Sequence, residues 1–525
     1  MNCIKKIPIR NEEVLFSNVQ SNKYIFDSVS GTIAKTNDVV NDILKECNGV
    51  NSTEKIYQKL DLEHLGYTVD ELYDLLNKLK DYKFLQMIER NFDSFKDLIL
   101  INPPFPYKHE RYNTSYYTPP LGLIQIAAEL EKKDYIVHII DMAVLDLKPY
   151  EIINCINKLG IEPIIIGISC NMTFTASNAV RIANNIKDIY PFTKIIFGGN
   201  HATFCYEQIL KNEDSVDYIN LYEGEIVFPN LCDNIIQGKN LKSCKGIAYK
   251  NEDGEIVKTE SQRRIENLDD LEFPAYHLLN MDLYNETMKG IVMTSRGCPH
   301  QCVYCSTAKF NGNVNYYSID KVIENVKRMI SEFNLKQITF GDDAFTINKK
   351  RVLEICKRLQ DEKINISWSC NTRVDMVDEE IFTALKEAGC KDILFGIESV
   401  SDKVLGKVNK RFYFEDIKRS VALAKKVGIR IKQNYIIGLP YETQETLDEM
   451  REYINQTNPE VVEFCILCLF PGTELYINGS QYGIKNFNVP WEKLQLIKPG
   501  LKTEWLTSKQ LLDNYILSWN SLKGR

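Results

Sequence analysis

The sequence predicts a multidomain α/β protein. It has a doubly wound parallel sheet followed by a partial (β/α)6 barrel, with a small winged-helix-like unit in front and a helical cap behind. Two patterns carry this prediction: five apolar strand-like runs alternate with amphipathic helical stretches between residues 97 and 250, and six more do so between 291 and 467. Such alternation implies parallel strands covered by helices. A third observation locates the chemistry, because the polar and glycine-rich stretches fall at the C-terminal ends of these runs, where α/β folds place their ligands.

The 525 residues suit about three domains at the usual 100–200 residues each. The net charge of −7 comes with lysines spread along the chain, so no basic stripe points to nucleic acid. No apolar run reaches the length of a membrane span, and Met1-Asn-Cys-Ile-Lys-Lys-Ile-Pro8 lacks the core of a signal peptide. A cytoplasmic protein without a membrane partner is expected. The 15 cysteines form no regular framework, which fits a reducing compartment.

Within residues 1–92, the runs Tyr24–Asp27 and Thr32–Lys35 read as two strands joined by Ser28-Val-Ser-Gly31. Three helices follow. Val39, Val40, Ile43, Leu44 and Cys47 share one helical face, and Thr68-Val-Asp-Glu71 is a capping box opening a helix with Leu72, Leu75, Leu76 and Leu79 inward. A strand at Phe84–Ile88 closes the unit, and Asn91–Lys96 reads as a boundary. The plain reading is a winged-helix-like packing or dimerisation module. In its Phe26-Asp27-x-x-Ser30-Gly31-x4-Thr36-Asn37 segment the unit also resembles the PqqD-like domain, the leader-binding element of ribosomal peptide maturation enzymes. That resemblance implies a precursor peptide added as a strand beside Gly31, Thr32, Ile33, Ala34 and Lys35. Leu72 and Leu76 would belong to the opposite wall of the groove.

Residues 97–250 carry strand candidates at Leu98–Ile101, Tyr135–Ile140, Pro163–Ser169, Lys194–Phe197 and Asp217–Asn220, with helices such as Leu121–Lys132 and Thr175–Ile189 between them. The loops after the strands are Asn102-Pro103-Pro-Phe-Pro, Ser169-Cys-Asn171-Met-Thr173, Gly198-Gly199-Asn-His201-Ala-Thr203 and Glu223-Gly224-Glu225. Paired glycines let backbone approach a ligand, the two glutamates could accept hydrogen bonds from amides, and the absence of G-x-G-x-x-G argues against a dinucleotide. The order and the GG-x-H-A-T with E-G-E pair resemble the Rossmann-like cobalamin-binding domain fused to radical S-adenosylmethionine (SAM) domains. The resemblance implies that Asn102, Pro103, Ser169, Asn171, Thr173, Gly198, Gly199, His201, Thr203, Glu223, Gly224 and Glu225 surround cobalamin. Asn200 stands where that family commonly has proline, and the D-x-H-x-x-G signature that supplies a cobalt ligand elsewhere is missing, so His201 is expected at the corrin edge. A flavodoxin-like domain without a cofactor is the alternative.

Asn267–Tyr276, within 251–285, looks like the linker of the same family. The barrel, residues 286–470, has strand candidates near 291–295, 336–340, 365–370, 392–397, 430–436 and 461–467. Its first loop holds Cys298-Pro-His-Gln-Cys302-Val-Tyr304-Cys305. Three thiolates at this spacing can bind three irons of a 4Fe–4S cluster and leave the fourth open. Zinc would favour paired Cys-x-x-Cys units or a fourth ligand nearby, and none follows within about thirty residues. This loop reproduces that of the radical SAM enzymes, whose SAM chelates the open iron and is reductively split to a 5′-deoxyadenosyl radical. The resemblance implies SAM contacts from Tyr304, Gly341, Asp342, Asp343, Asn371, Arg373, Glu398, Ser399 and Gly438, though either aspartate could instead be a cap and Tyr304 a packing aromatic. It also implies an external electron donor such as flavodoxin or ferredoxin. Cys465-Ile-Leu-Cys468 would face opposite sides of a strand, which argues against an auxiliary cluster.

A substrate radical needs a partner that completes the reaction, and methylcobalamin can donate a methyl group to it, so radical C-methylation of a ribosomal peptide, with two SAM per turnover, is the expected function. Cobalamin-assisted peptide cyclisation or cross-linking is an alternative. So is a small-molecule substrate, with residues 1–92 as a docking module. Residues 471–525, with Trp491, Trp505 and Trp519, read as a helical cap or substrate wall.

Overall fold

The computed structural model describes residues 4–10, 14–19, 22–27, 32–47, 53–65, 67–81, 85–91, 96–106, 118–262, 264–486 and 489–522. The first unit pairs β1 (Ile4–Arg10) with β5 (Leu85–Asn91) and sets β2 (Val14–Val19), β3 (Asn22–Asp27) and β4 (Thr32–Thr36) in a separate antiparallel sheet. β1 and β2 were not anticipated; β3 and β4 match the two expected strands. Helices Asp38–Glu46, Thr53–Lys59 and Val69–Asp81 follow β4. The last is opened by the expected box, in which the Glu71 carboxylate accepts from the Thr68 N–H at 2.7 Å and the Thr68 hydroxyl from the Glu71 N–H at 3.2 Å.

The doubly wound sheet contains β6 (Asp97–Asn102), β7 (Ile136–Asp141), β8 (Ile165–Ser169), β9 (Lys194–Gly198) and β10 (Tyr218–Asn220), extended by the hairpin β11 (Ile247–Lys250) and β12 (Ile256–Lys258). The spatial order is β12-β11-β10-β9-β8-β6-β7, parallel except for the added hairpin. Leu98 to Ile101 are all fully buried because the sheet is covered twice. Leu98 and Leu100 pack toward helices Leu121–Glu131 and Gly224–Gln237, and Ile99 and Ile101 toward Ile152–Leu159 and Thr173–Ile189. The strand order reverses between β6 and β8, and such a switch point opens a crevice at the strands' C-terminal ends. The sheet runs to Lys258, beyond residue 250, where its domain was expected to end. From Asn267 to Leu283 the linker makes three short 3-10 turns, and the Tyr276 hydroxyl donates to the Ile291 carbonyl at 2.7 Å.

Six parallel strands form the second sheet in sequential order: β13 (Ile291–Val292), β16 (Gln337–Phe340), β17 (Ser367–Thr372), β18 (Cys390–Glu398), β19 (Arg430–Ile437) and β20 (Val461–Ile466). Between the first two lies a small antiparallel pair, β14 (Ser295–Arg296) with β15 (Asn315–Tyr316). Burial alternates along β17, β19 and β20: Trp368, Tyr435 and Phe464 pack outward on helices, while half-buried Ser369, Asn371, Asn434, Glu463 and Cys465 line the open lumen. Helix Ser508–Asn520 packs on β20 and puts Trp519 edge-on to Phe464, with ring centroids 5.2 Å apart. It therefore occupies the sixth helical position of the barrel rather than sitting apart as a cap.

Candidate active site between two domains

β13 stops at Val292, short of the expected Ser295, because the next residues turn to Asp342. The Asp342 carboxylate accepts from the Thr294 N–H at 2.6 Å, the Thr294 hydroxyl at 2.5 Å and the Ser295 hydroxyl at 2.6 Å. Fully enclosed and saturated, this side chain fixes the start of the cluster loop and leaves nothing for a ligand. Its neighbour Asp343 accepts from the Gly297 N–H at 3.1 Å and faces the cavity described below. Gly341 is a packing requirement, since a Cβ there would lie 2.6 Å from Ile291 Cγ2.

The cysteine loop is held from three sides. The Val303 N–H donates to the Val408 carbonyl at 3.1 Å, the Leu475 N–H to the Val303 carbonyl at 2.9 Å, and Asn409 Nδ2 to the Gln301 carbonyl at 2.7 Å. Burial pushes the Cys298 and Cys305 thiols up, the neighbouring thiols of the loop add to that at both, and the Thr307 hydroxyl and N–H pull Cys305 back. A bound cluster would overcome that bias, since coordination keeps thiolates deprotonated. Lys410 lies beside this loop and donates to Glu398 at 2.9 Å and to the Tyr304 hydroxyl at 3.2 Å. Glu398 is held at φ +70. Arg373, expected to hold the SAM carboxylate, is anchored within the protein. Its guanidinium forms two bonds of 2.9 Å with Asp375 and one of 2.6 Å with the Lys410 carbonyl. Ser399 is buried behind the strand end, Gly438 has φ +99 and donates its N–H to Glu442 at 2.5 Å, and Asn371 faces the lumen.

A cavity of about 610 Å³ separates the two domains. Its first wall is the C-terminal edge of the doubly wound sheet, where Asn102, Pro103, Ser169, Asn171, Gly198, Gly199, Glu223, Gly224 and Glu225 all line the space. Asn102 Nδ2 donates to Asp141 at 2.9 Å, and Asp141 also accepts from the Tyr284 hydroxyl at 2.5 Å. This turns the Asn102 oxygen toward the cavity. The second wall is the cluster region, with Arg296, Thr307, Phe310 and Asp343.

Thr173, His201 and Thr203 do not reach the cavity. His201 is 1% exposed, its Nδ1 is 3.1 Å from the Thr173 hydroxyl, and its ring meets Trp491 edge-on at 4.5 Å. Burial lowers its pKa to about 3, so this imidazole is a neutral core group and not the corrin-edge contact expected. Thr203 accepts from the Tyr222 N–H at 3.0 Å and so joins two cavity loops. The E-G-E carboxylates are largely claimed by protein: Glu225 meets Arg296 Nη1 at 2.7 Å, and Glu223 lies 3.5 Å from the same nitrogen while accepting from the Ile265 N–H at 2.9 Å.

The remaining donors and acceptors fit cobalamin, whose periphery carries primary amides. Asn200 Oδ1 and Asn220 Oδ1 on one side and Asn325 Oδ1 on the barrel helix Ile319–Phe333 are buried, without hydrogen-bond partners, and on residues that line this cavity. Buried amide oxygens are costly unless a ligand satisfies them. The three cysteines likewise suit a cubane, which takes one thiolate per corner. Among the described residues no group of three or more ligands converges on a single ion.

Two family models match the chain, the Radical SAM superfamily over residues 292–454 and the B12 binding domain over 112–232. An uncharacterised methyltransferase of Pyrococcus horikoshii is 34% identical over 399 residues, covering 75% of this chain and 85% of the relative. The chain belongs to the cobalamin-dependent radical SAM methyltransferases. Its cofactors are a 4Fe–4S cluster, SAM and cobalamin. The fold agrees with two solved structures at 16% identity. TsrM of Kitasatospora setae, a radical SAM methyltransferase with cobalamin and a cluster bound, has a TM-score of 0.65, covering 82% of this chain and 91% of TsrM. The cobalamin-dependent radical enzyme OxsB, with aqua-cobalamin bound, has 0.64, covering 98% of this chain and 76% of OxsB.

Sequence reasoning singled out the cysteines and the strand-end loops but missed Arg296, Lys410, Asn200, Asn220 and Asn325. Arg296 stands two residues before Cys298, and a charge so close to a cluster motif was the available signal. Asn200 stood out only as a departure from the proline common in the resembling family, and Asn220 and Asn325 carried no signal.

In the N-terminal unit, β4 pairs with β3 and, among the described residues, with nothing on its other side. Thr32, Ile33, Ala34 and Lys35 lie on it, and Gly31 falls outside the described residues. Leu72 and Leu76 cannot form the opposite wall of a peptide groove, since they are 2% and 0% exposed in a core with Ile43, Leu44 and Ile56. No helix among the described residues is long and apolar enough to cross a membrane.

Proposed function

We propose that this enzyme methylates an unactivated carbon of a small molecule placed between the cobalamin cavity and the cysteine loop. The observation that carries the reading is the cavity's double wall, which sets the loops of a cobalamin-type sheet against Arg296, Thr307 and Asp343. Bound cluster and SAM would supply the hydrogen-abstracting radical, and bound cobalamin the methyl group. The chain's own part is to present Cys298, Cys302 and Cys305 for the cluster, with Asp343, Glu398, Asn371 and the Gly438 backbone nearest the SAM position. Asn102, Asn200, Asn220 and Asn325 would hold the corrin amides, and the paired domains would keep water out. Residues 97–258 serve as the cobalamin domain and 286–470 as the radical domain. The chain would work in the cytoplasm with a flavodoxin- or ferredoxin-type reductant.

A second reading, modification of a ribosomal peptide, is favoured by the β4 edge, which could accept an extended leader. Deleting residues 1–92 and comparing turnover decides between them. Under the first reading the truncated enzyme keeps its apparent Michaelis constant for substrate; under the second that constant rises far more than the maximal rate falls. In either case mass spectrometry of the anaerobic reaction should find a gain of one CH2 unit. A loss of two hydrogens would mean cyclisation or cross-linking and would refute methylation.

A further inference from the structure

Arg296 sits between the two cofactor regions. On one side it opens the run Arg296-Gly297-Cys298, and the Gly297 N–H is fastened to Asp343. On the other its guanidinium meets Glu225 at 2.7 Å and Glu223 at 3.5 Å, all three side chains being largely buried. The loop bearing these glutamates touches the cluster region again through Tyr222 and Phe310, with ring centroids 5.8 Å apart, and is tied to the Gly198–Thr203 loop by the Tyr222 N–H bond to Thr203. Tyr222 holds φ +60, an unfavourable geometry for a tyrosine, kept only where its surroundings fix it. A contiguous series of contacts therefore runs from the cobalamin loops through Arg296 to the first cluster cysteine.

We propose that Arg296 is a positioning residue that couples the two sites, so that cobalamin and SAM each strengthen the binding of the other through the Arg296–Glu225 pair. The inference rests on the proposed placement of both cofactors in one cavity. A ligand that settles the Tyr222–Glu225 loop also settles the guanidinium, and with it the backbone that aims the cluster loop. Because linkage is reciprocal, the factor by which SAM tightens cobalamin must equal the factor by which cobalamin tightens SAM.

The test uses full-length protein with a reconstituted, oxidised cluster, which binds SAM without cleaving it. Hydroxocobalamin is titrated by its absorbance with and without saturating SAM, and SAM is titrated by calorimetry with and without hydroxocobalamin. The wild type should give the same factor in both directions, within the range of about 5- to 150-fold typical of coupled sites. Arg296→Gln should bring the factor to about one, and Arg296→Lys, which keeps the charge, should restore part of it. If Arg296→Gln does not retain its cluster, Glu225→Gln tests the same pair from the far side. A wild-type factor of one overturns the proposal. So does a variant in which both affinities fall while their coupling is intact, because that is what a merely structural residue would give. Failure of the wild type to bind hydroxocobalamin would overturn the functional reading as well.

Discussion

The buried imidazole of His201 makes the acid stability of the cobalamin domain predictable. In the folded protein burial lowers its pKa to about 3 against an ordinary 6.5, so between those values the unfolded chain binds a proton that the native state refuses. Stability therefore rises with pH across that window. The contribution is complete above 6.5 and is lost progressively as the pH falls below it. At about 1.4 kcal/mol per pH unit, His201 should cost the native state about 2 kcal/mol between pH 7.5 and 5. The perturbation is His201→Asn, which can keep the Thr173 contact but does not titrate. Urea unfolding followed by tryptophan fluorescence at a series of pH values measures the effect, because Trp491 lies on the imidazole. The wild type should be about 2 kcal/mol more pH-sensitive than the variant over that interval, with every other titrating group cancelling in the difference. Parallel stability profiles would refute the reasoning and mean that the imidazole is open to solvent or engaged by a ligand.

Two further outcomes follow from the site. Replacing Cys298, Cys302 and Cys305 together with alanine should remove the brown cluster absorbance and all SAM cleavage; about four irons per chain in that variant would contradict the cluster assignment. Gly199→Ala should weaken hydroxocobalamin binding and lower stability by about 1–3 kcal/mol, because φ there is +104 and a Cβ would lie 2.9 Å from Asn171 Cα. Unchanged affinity by absorbance titration would show that the loop tolerates the change.

The parallel strands could be located from sequence because each is a short apolar run bounded by helix signals, and Leu98–Ile101, buried from both sides, is the plainest of them. The hairpin Ile247–Lys258 was missed because its strands are three and four residues long and one carries polar neighbours. In the site, a polar residue at a strand end reads the same whether it meets a ligand or a neighbouring backbone. Asp343 and Asp342 are adjacent in sequence, yet one lines the cavity and the other is consumed by Thr294 and Ser295. Arg373 shows the same ambiguity: it bonds Asp375, two residues on, and the Lys410 carbonyl, which only folding brings near. Leu72 and Leu76, four apart on a helix, are equally compatible with a groove or a core, and only the packing of Ile43 and Leu44 against them decides.

The two domains grip each other on opposite sides of the doubly wound sheet. The linker packs against helix Leu121–Glu131, where the Ala275 N–H donates to the Ile124 carbonyl at 2.9 Å, while the excursion carrying Trp491 lands on the other face, beside helix Thr173–Ile189. The linker attachment is covalent and buried through Tyr276; the other is made by side chains, Trp491 against His201 and Glu492 accepting from the Ser177 hydroxyl at 3.4 Å. Any parting of the two domains would therefore have to break the Arg296–Glu225 pair as well as the indole contact on His201, while the linker kept the halves joined.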